Sequence, residues 1–165
     1  MRIFRILLLN LVLSAFAIIL VVSLLKIDRS QFSPLPAVTE MLAWPLFVVG
    51  TLIIISAAYT LSKYSGATGA LGDPTRNLVV VGPYRWLRNP IYAGDILLLF
   101  GVAFFLSSFL LFFLACVSIP AFHFVVCLIE EPRTEKRLGA EYRKYKQKVP
   151  RWIPNTSLWS EKSNE

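Results

Sequence analysis

Apolar and polar positions along this chain do not alternate; they fall into separate blocks. Residues 6–25, ILLLNLVLSAFAIILVVSLL, carry no charge. At about 20 residues such a block can cross a hydrocarbon core of roughly 30 Å as a helix. A second block, LAWPLFVVGTLIIISAAYTL, covers 42–61. The third, over 91–129, is too long for one span, and Leu106-Ser107-Ser108-Phe109 is its weakest point. The pattern therefore predicts a tight helical hairpin with arms over 90–106 and 109–129. Pro120 in the second arm predicts a kink rather than a break. Arg2 and Arg5 ahead of the first block resemble the start of a signal peptide. The apolar run is long and no A-x-A-like cleavage site comes after it, so it reads as a retained anchor. The expected fold is thus an all-α integral membrane protein, one membrane-embedded domain over 1–165 with four transmembrane helices. A loop at 62–89 and a tail at 131–165 complete it. In the tail, Leu138, Tyr142, Tyr145 and Val149 are spaced by 4, 3 and 4 among lysines and arginines. That is one helical stripe, predicting an amphipathic C-terminal helix that lies on the membrane or covers the mouth of the bundle. Pro150 and Pro154 end it, with Trp152 as an interfacial anchor.

Composition agrees with this picture, and charge gives it an orientation. The chain has 165 residues, 56% of them hydrophobic, with a mean hydropathy of +0.61. Of its 17 lysines and arginines, 2 precede the first block, 4 lie in the 62–89 loop and 9 in the tail. Only Lys26 and Arg29 fall on the other side. This bias places both termini in the cytoplasm, as in a bacterial inner-membrane protein. The net charge of +7 then serves orientation and attraction to anionic lipid. Nucleic-acid binding is a poor alternative, because the basic residues adjoin spans. Cys116 and Cys127 lie inside apolar runs and form no metal or redox spacing. The glycines of SKYSGATGALGDP make no G-x-G-x-x-G after a strand and no P-loop, so any nucleotide-like cofactor is held in some other way.

Candidate chemistry gathers at two points. In Arg88-Asn89-Pro90-Ile91-Tyr92, Asn89 is a good N-cap and Pro90 suits a first helical position, so the third span should start there. Its free N–H groups would then face the cytoplasm, with Arg85 and Arg88 just outside. The fourth span ends in AFHFVVCLIEEP. Two acids at a helix C-terminus oppose the helix dipole and ask for a cation, with Arg88 the candidate partner for Glu130 or Glu131. A turn near 107–108 brings residues 89–92 close to 127–131. His123 lies seven residues before Glu130, nearly on the same helix face, and is a candidate base with Glu131. Asp95, a turn beyond Tyr92, pairs with Arg88 or lines the same cavity. A helix N-terminus for an anion, carboxylates for a cation and aromatics for a flat group would suit a sulfonium amino acid joined to a base. S-adenosylmethionine is one candidate among several.

In order and spacing, LVVVGPYRWLRNPIYAG, AFHFVVCLIEEP and RLGAEYRKYKQKVPRWIP resemble the bacterial members of the isoprenylcysteine carboxyl methyltransferase family. The wider group includes the phosphatidylethanolamine N-methyltransferases. The resemblance covers about 66–155 and implies a membrane-embedded S-adenosylmethionine-dependent methyltransferase with a lipid or lipid-like substrate. It implies cofactor contacts at Arg76, Asn77, Leu78, Val79, Tyr84, Asn89, Pro90, Ile91, Tyr92 and Glu130. Beside these, the residues themselves offer Arg88, His123 and Glu131 as candidate catalytic groups. Two positions depart from the eukaryotic members. Asn89 stands where those have histidine, and Val126 stands where an arginine faces the substrate carboxylate, so a carboxylate acceptor does not carry over. A membrane reductase of related architecture and a non-enzymatic small membrane protein are the alternatives.

Overall fold

The computed structural model describes residues 38–66 and 76–154; the first expected span, 6–25, lies outside them. Among the described residues all regular structure is helical: α1 (Val38–Tyr64), a short 3₁₀ turn (Gly82–Arg85), α2 (Pro90–Phe105), α3 (Phe109–Val125), a π-helical segment (Val126–Glu130) and α4 (Glu131–Lys148). Two stretches are long and apolar enough to cross a membrane, Glu40–Tyr64 and the continuous helical run that begins at Phe109; α2 is a shorter apolar helix. The outside of the molecule is apolar. Met41, Trp44, Leu52, Phe113, Phe124 and Leu128 are all exposed, as side chains facing lipid would be.

The closest packing joins α1 to α2. They run antiparallel: Ile54 meets Gly94, Gly50 meets Leu97 and Leu98, Phe47 meets Gly101 and Trp44 meets Phe105. Small residues make this possible. A Cβ on Gly94 would sit 2.5 Å from Ile54 Cγ1 and 2.9 Å from the Gly50 carbonyl, so the two backbones are as near as glycine permits.

The hairpin turns where the polar break in the sequence falls. Ser107 takes a positive φ of 47°, and the Ser108 hydroxyl caps α3 by accepting from Leu111 N at 3.4 Å. The arms are held by aromatic contacts: Phe104 stacks on Phe112 with ring centroids 5.9 Å apart, and Tyr92 meets Phe122 at 5.0 Å. Pro120 lies inside α3 without ending it.

The exit of the second arm differs from expectation. The helix does not stop before the acidic pair. It widens at Val126–Glu130, where the Glu131 N–H reaches back five residues to the Val126 carbonyl, and continues into α4. No helix C-terminus exists there to oppose the two acids. One extra residue in a turn also rotates the remainder of the helix by roughly a hundred degrees, which separates His123 from Glu130. A second break comes at Gly139, whose φ of 60° and ψ of −129° lie outside the helical region. The tail is therefore two helical pieces rather than one straight helix over 132–151, and the second folds back. Tyr142, Tyr145 and Val149 are buried together, with Leu78 and Leu138 packed against them.

Candidate functional site

These elements enclose a cavity of about 540 Å³, within the size range of small-molecule sites. Part of its wall is built by the loop before α2. Gly82, at a φ of 58°, packs so closely on the end of α1 that a Cβ would lie 2.6 Å from Thr60 Oγ1. That anchors the 3₁₀ turn and presents Tyr84 to the cavity. The Tyr84 carbonyl accepts the Tyr145 hydroxyl at 2.7 Å, tying the loop to α4. Burial pushes the Tyr84 hydroxyl above its ordinary value, and the Glu130 charge adds to this, so the group stays a proton donor.

Asn89 holds the N-cap position of α2, but its side chain makes no capping hydrogen bond. Its amide donates instead to the Arg151 carbonyl at 3.4 Å. The first turn of α2 thus keeps its N–H groups for another acceptor, and Asn89, Pro90, Ile91 and Tyr92 all line the cavity. Arg88 lines it too. Its Nη1 donates to Glu131 Oε1 at 2.9 Å, while its Nε is buried with no hydrogen-bond partner among the described residues. A buried N–H of this kind needs an acceptor.

The acids divide the work. Glu131, 5% exposed, takes a two-pronged grip from Arg151, whose Nε and Nη2 lie 2.7 and 3.0 Å from its oxygens, with Lys146 Nζ at 3.7 Å. Burial alone would raise its carboxyl. The Arg151 hydrogen bond and the charges of Arg88, Arg151 and Lys146 outweigh that and hold it below the ordinary value of 4.5. Glu130, in the π segment, faces the cavity and accepts the Tyr92 hydroxyl. Asp95 is 6% exposed and lines the cavity deeper along α2.

Of the residues singled out in the sequence, Asn77, Leu78, Val79, Tyr84, Arg88, Asn89, Pro90, Ile91, Tyr92, Glu130 and Glu131 line this one cavity. Arg76 and His123 do not. Arg76 packs at the end of α1, its N–H donating to the Ser65 carbonyl at 2.7 Å. The His123 Nδ1 accepts the Trp152 indole N–H at 3.0 Å, and its Nε2 lies 3.5 Å from Cys127 Sγ. An indole nitrogen only donates, so Nδ1 must accept and the neutral ring carries its proton on Nε2. Thr134, Leu138, Tyr142 and Tyr145 of α4 also form the wall. The stripe of the tail was the available signal for the last three; the back-fold that brings Tyr142 and Tyr145 to Leu138 rests on Gly139.

No curated protein matches the chain. The sequence profile of a family described as phospholipid methyltransferase matches residues 38–141, from α1 across the hairpin and the acidic pair to the hinge of α4. This span is well over half of the sequence and contains most of the cavity wall, and on that ground the chain belongs to the phospholipid methyltransferase family.

Proposed function

We propose that the protein transfers a methyl group from S-adenosylmethionine to a membrane-borne or amphiphilic acceptor at the cytoplasmic face. In this reading the chain spans the membrane four times, with both termini in the cytoplasm. Family membership supports methyl transfer. The observation that carries the choice of donor is the charge layout of the cavity. The lining holds the Arg88 Nε, buried without a partner among the described residues, and the uncapped start of α2. It also holds Glu130 and a set of tyrosines. A zwitterion whose carboxylate and ammonium share one carbon, with a sulfonium further along its chain, would find a partner for each of these groups in that lining. Arg88 and the first N–H groups of α2 would hold the carboxylate. Glu130 would hold the ammonium or a ribose hydroxyl, and Tyr84 and Tyr92 would face the sulfonium.

When bound, the cofactor supplies an activated methyl group on a positively charged sulfur. The protein's own part is positioning, which can lower a barrier by as much as ~7–11 kcal/mol. His123 and Glu131 take positioning roles in this scheme. The Nδ1 lone pair of His123 is occupied by Trp152, and Glu131 is ionised and held by Arg88 and Arg151. Glu131 fixes Arg88, and His123 fixes the segment just after α4.

The test is calorimetry of the purified protein with S-adenosylhomocysteine. Wild type should bind, and Glu130→Gln should bind about tenfold more weakly, as expected for loss of a charge-assisted contact. Absence of binding to wild type ends the proposal, and unchanged affinity in Glu130→Gln removes Glu130 from the site.

A further inference from the structure

We propose that a second site, a groove beside Glu131, binds the phosphate headgroup of an anionic phospholipid. The groove holds about 380 Å³ and shares one wall residue, Glu131, with the large cavity. Cys127 of the π segment and Pro132, Glu135 and Lys136 of the first piece of α4 form part of it; Arg143 and Lys146 come from the second piece. In a straight helix Lys136 and Lys146 would stand ~15 Å apart along the axis. The break at Gly139 brings them to one groove instead, with Lys146 Nζ meeting Glu135 Oε2 at 2.9 Å.

The charges of the groove do not cancel. Glu131 is already held by Arg88 and Arg151. Among the lining residues that leaves Glu135 as the acid for Lys136, Arg143 and Lys146. Glu135 takes Lys146 and lies 4.0 Å from Arg143, whose side chain is 62% exposed. Lys136 is exposed and makes no ion pair among the described residues. Three cations drawn together around one free-standing carboxylate are complemented by an anion. An arginine fork beside two ammonium groups suits phosphate oxygens.

The surroundings select a lipid over free phosphate. Leu128 and Ile129, which lie in the chain between the groove residues Cys127 and Pro132, are exposed, and so is Phe124. The helical run from Phe109 to Lys148 is continuous, so the groove opens where an apolar exposed surface gives way to a charged one. A headgroup seated there has its acyl chains beside Phe124 and Leu128 and its phosphate beside the cations. A choline headgroup would bring a cation of its own against Lys136 and Arg143. The site differs from the general attraction of a basic tail for anionic lipid, because the exposed Lys144 and Lys148 lie outside the groove.

The experiment titrates the full chain in detergent with dioleoylphosphatidylglycerol or dioleoylphosphatidylcholine, with inorganic phosphate as competitor, and counts bound lipid by native mass spectrometry. Wild type should bind the phosphatidylglycerol at least about fivefold more tightly. Lys136→Gln with Arg143→Gln should lose about tenfold in that affinity, whereas Lys144→Gln with Lys148→Gln, the same change in charge, should stay within about twofold of wild type. A wild type without the preference overturns the proposal whether or not the variants fold. So does a Lys136→Gln, Arg143→Gln protein that keeps its affinity, or equal losses in the two double variants, since then only summed charge is read. Inorganic phosphate that displaces the lipid at comparable concentration also overturns it, because the acyl chains would then contribute nothing. None of these outcomes depends on S-adenosylhomocysteine binding.

Discussion

Glu131 shows how much one side chain can hold. It is buried, and Arg88, Arg151 and Lys146 reach it from the α2 start, the segment after α4 and α4 itself. Replacing one member of a buried ion pair is costlier than the pair is favourable, because it strands the partner charges. Glu131→Gln should therefore destabilise the protein by about 3 kcal/mol or more, seen as a lower thermal midpoint in detergent. The pH dependence has a definite sign. The folded carboxyl is held below 4.5, so the folded state prefers the ionised form. Its contribution is complete above that value and is lost as the pH falls through the lower, folded one. Wild type should lose stability in this acid window, and Glu131→Gln should lack that part of the loss; parallel acid limbs in the two proteins would refute the assignment. The sequence already indicated that Arg88 and the acidic pair belong together, because helix-terminal acids call for a cation. It did not show which acid Arg88 takes. That depends on the widened turn, which aims Glu130 at Tyr92 and leaves Glu131 to the arginines.

Among the elements, the hairpin was readable because two serines interrupt an apolar run, and the structure turns at those residues. The π segment was not readable. Val126, Cys127, Leu128 and Ile129 have no residue that forbids an ordinary helix, so the seven-residue spacing of His123 and Glu130 pointed to a shared face that does not exist. Gly139 looked like one small residue in a good helical stripe, yet its φ of 60° redirects α4. Nor did the sequence single out the α1–α2 contact, because small residues in an apolar run carry no period strong enough to read. That contact gives a prediction at this scale. Gly94→Ala must push either Ile54 or the Gly50 carbonyl, and the carbonyl is rigid backbone. Gly101→Ala meets the edge of the Phe47 ring at 2.8 Å, and a side chain can rotate away. Both variants overpack the interface, at about 1–3 kcal/mol, and Gly94→Ala should have the lower thermal midpoint. The reverse order would mean that α1 and α2 are not held at backbone contact.

Taken whole, the molecule braces its cavity with a segment that does not line it. The Pro150 carbonyl accepts the Arg88 backbone N–H at 2.9 Å, and the Arg151 carbonyl accepts the Asn89 amide. The Arg151 side chain grips Glu131, and the Trp152 indole donates to His123. Pro150, Arg151 and Trp152 are absent from the cavity wall, yet together they fasten the start of α2, the acidic pair and α3 to one another. The family profile stops at residue 141, so it covers most of the wall but not this fastening. A chain ended at Val149 keeps every lining residue. If the wall alone made the site, its affinity for S-adenosylhomocysteine would match that of the full chain. The bonds say otherwise. Without Arg151 the Glu131 carboxylate loses its two-pronged partner, and Arg88 is no longer fixed from both its backbone and its side chain. Without the Arg151 carbonyl, Asn89 is free to cap α2 and compete for the N–H groups that the ligand would use. The shortened chain should therefore bind at least about tenfold more weakly by calorimetry while its helical circular dichroism stays near that of the full chain. Arg151→Ala alone should reproduce most of the loss, because it removes the two-pronged grip on Glu131 while leaving the backbone of the segment in place.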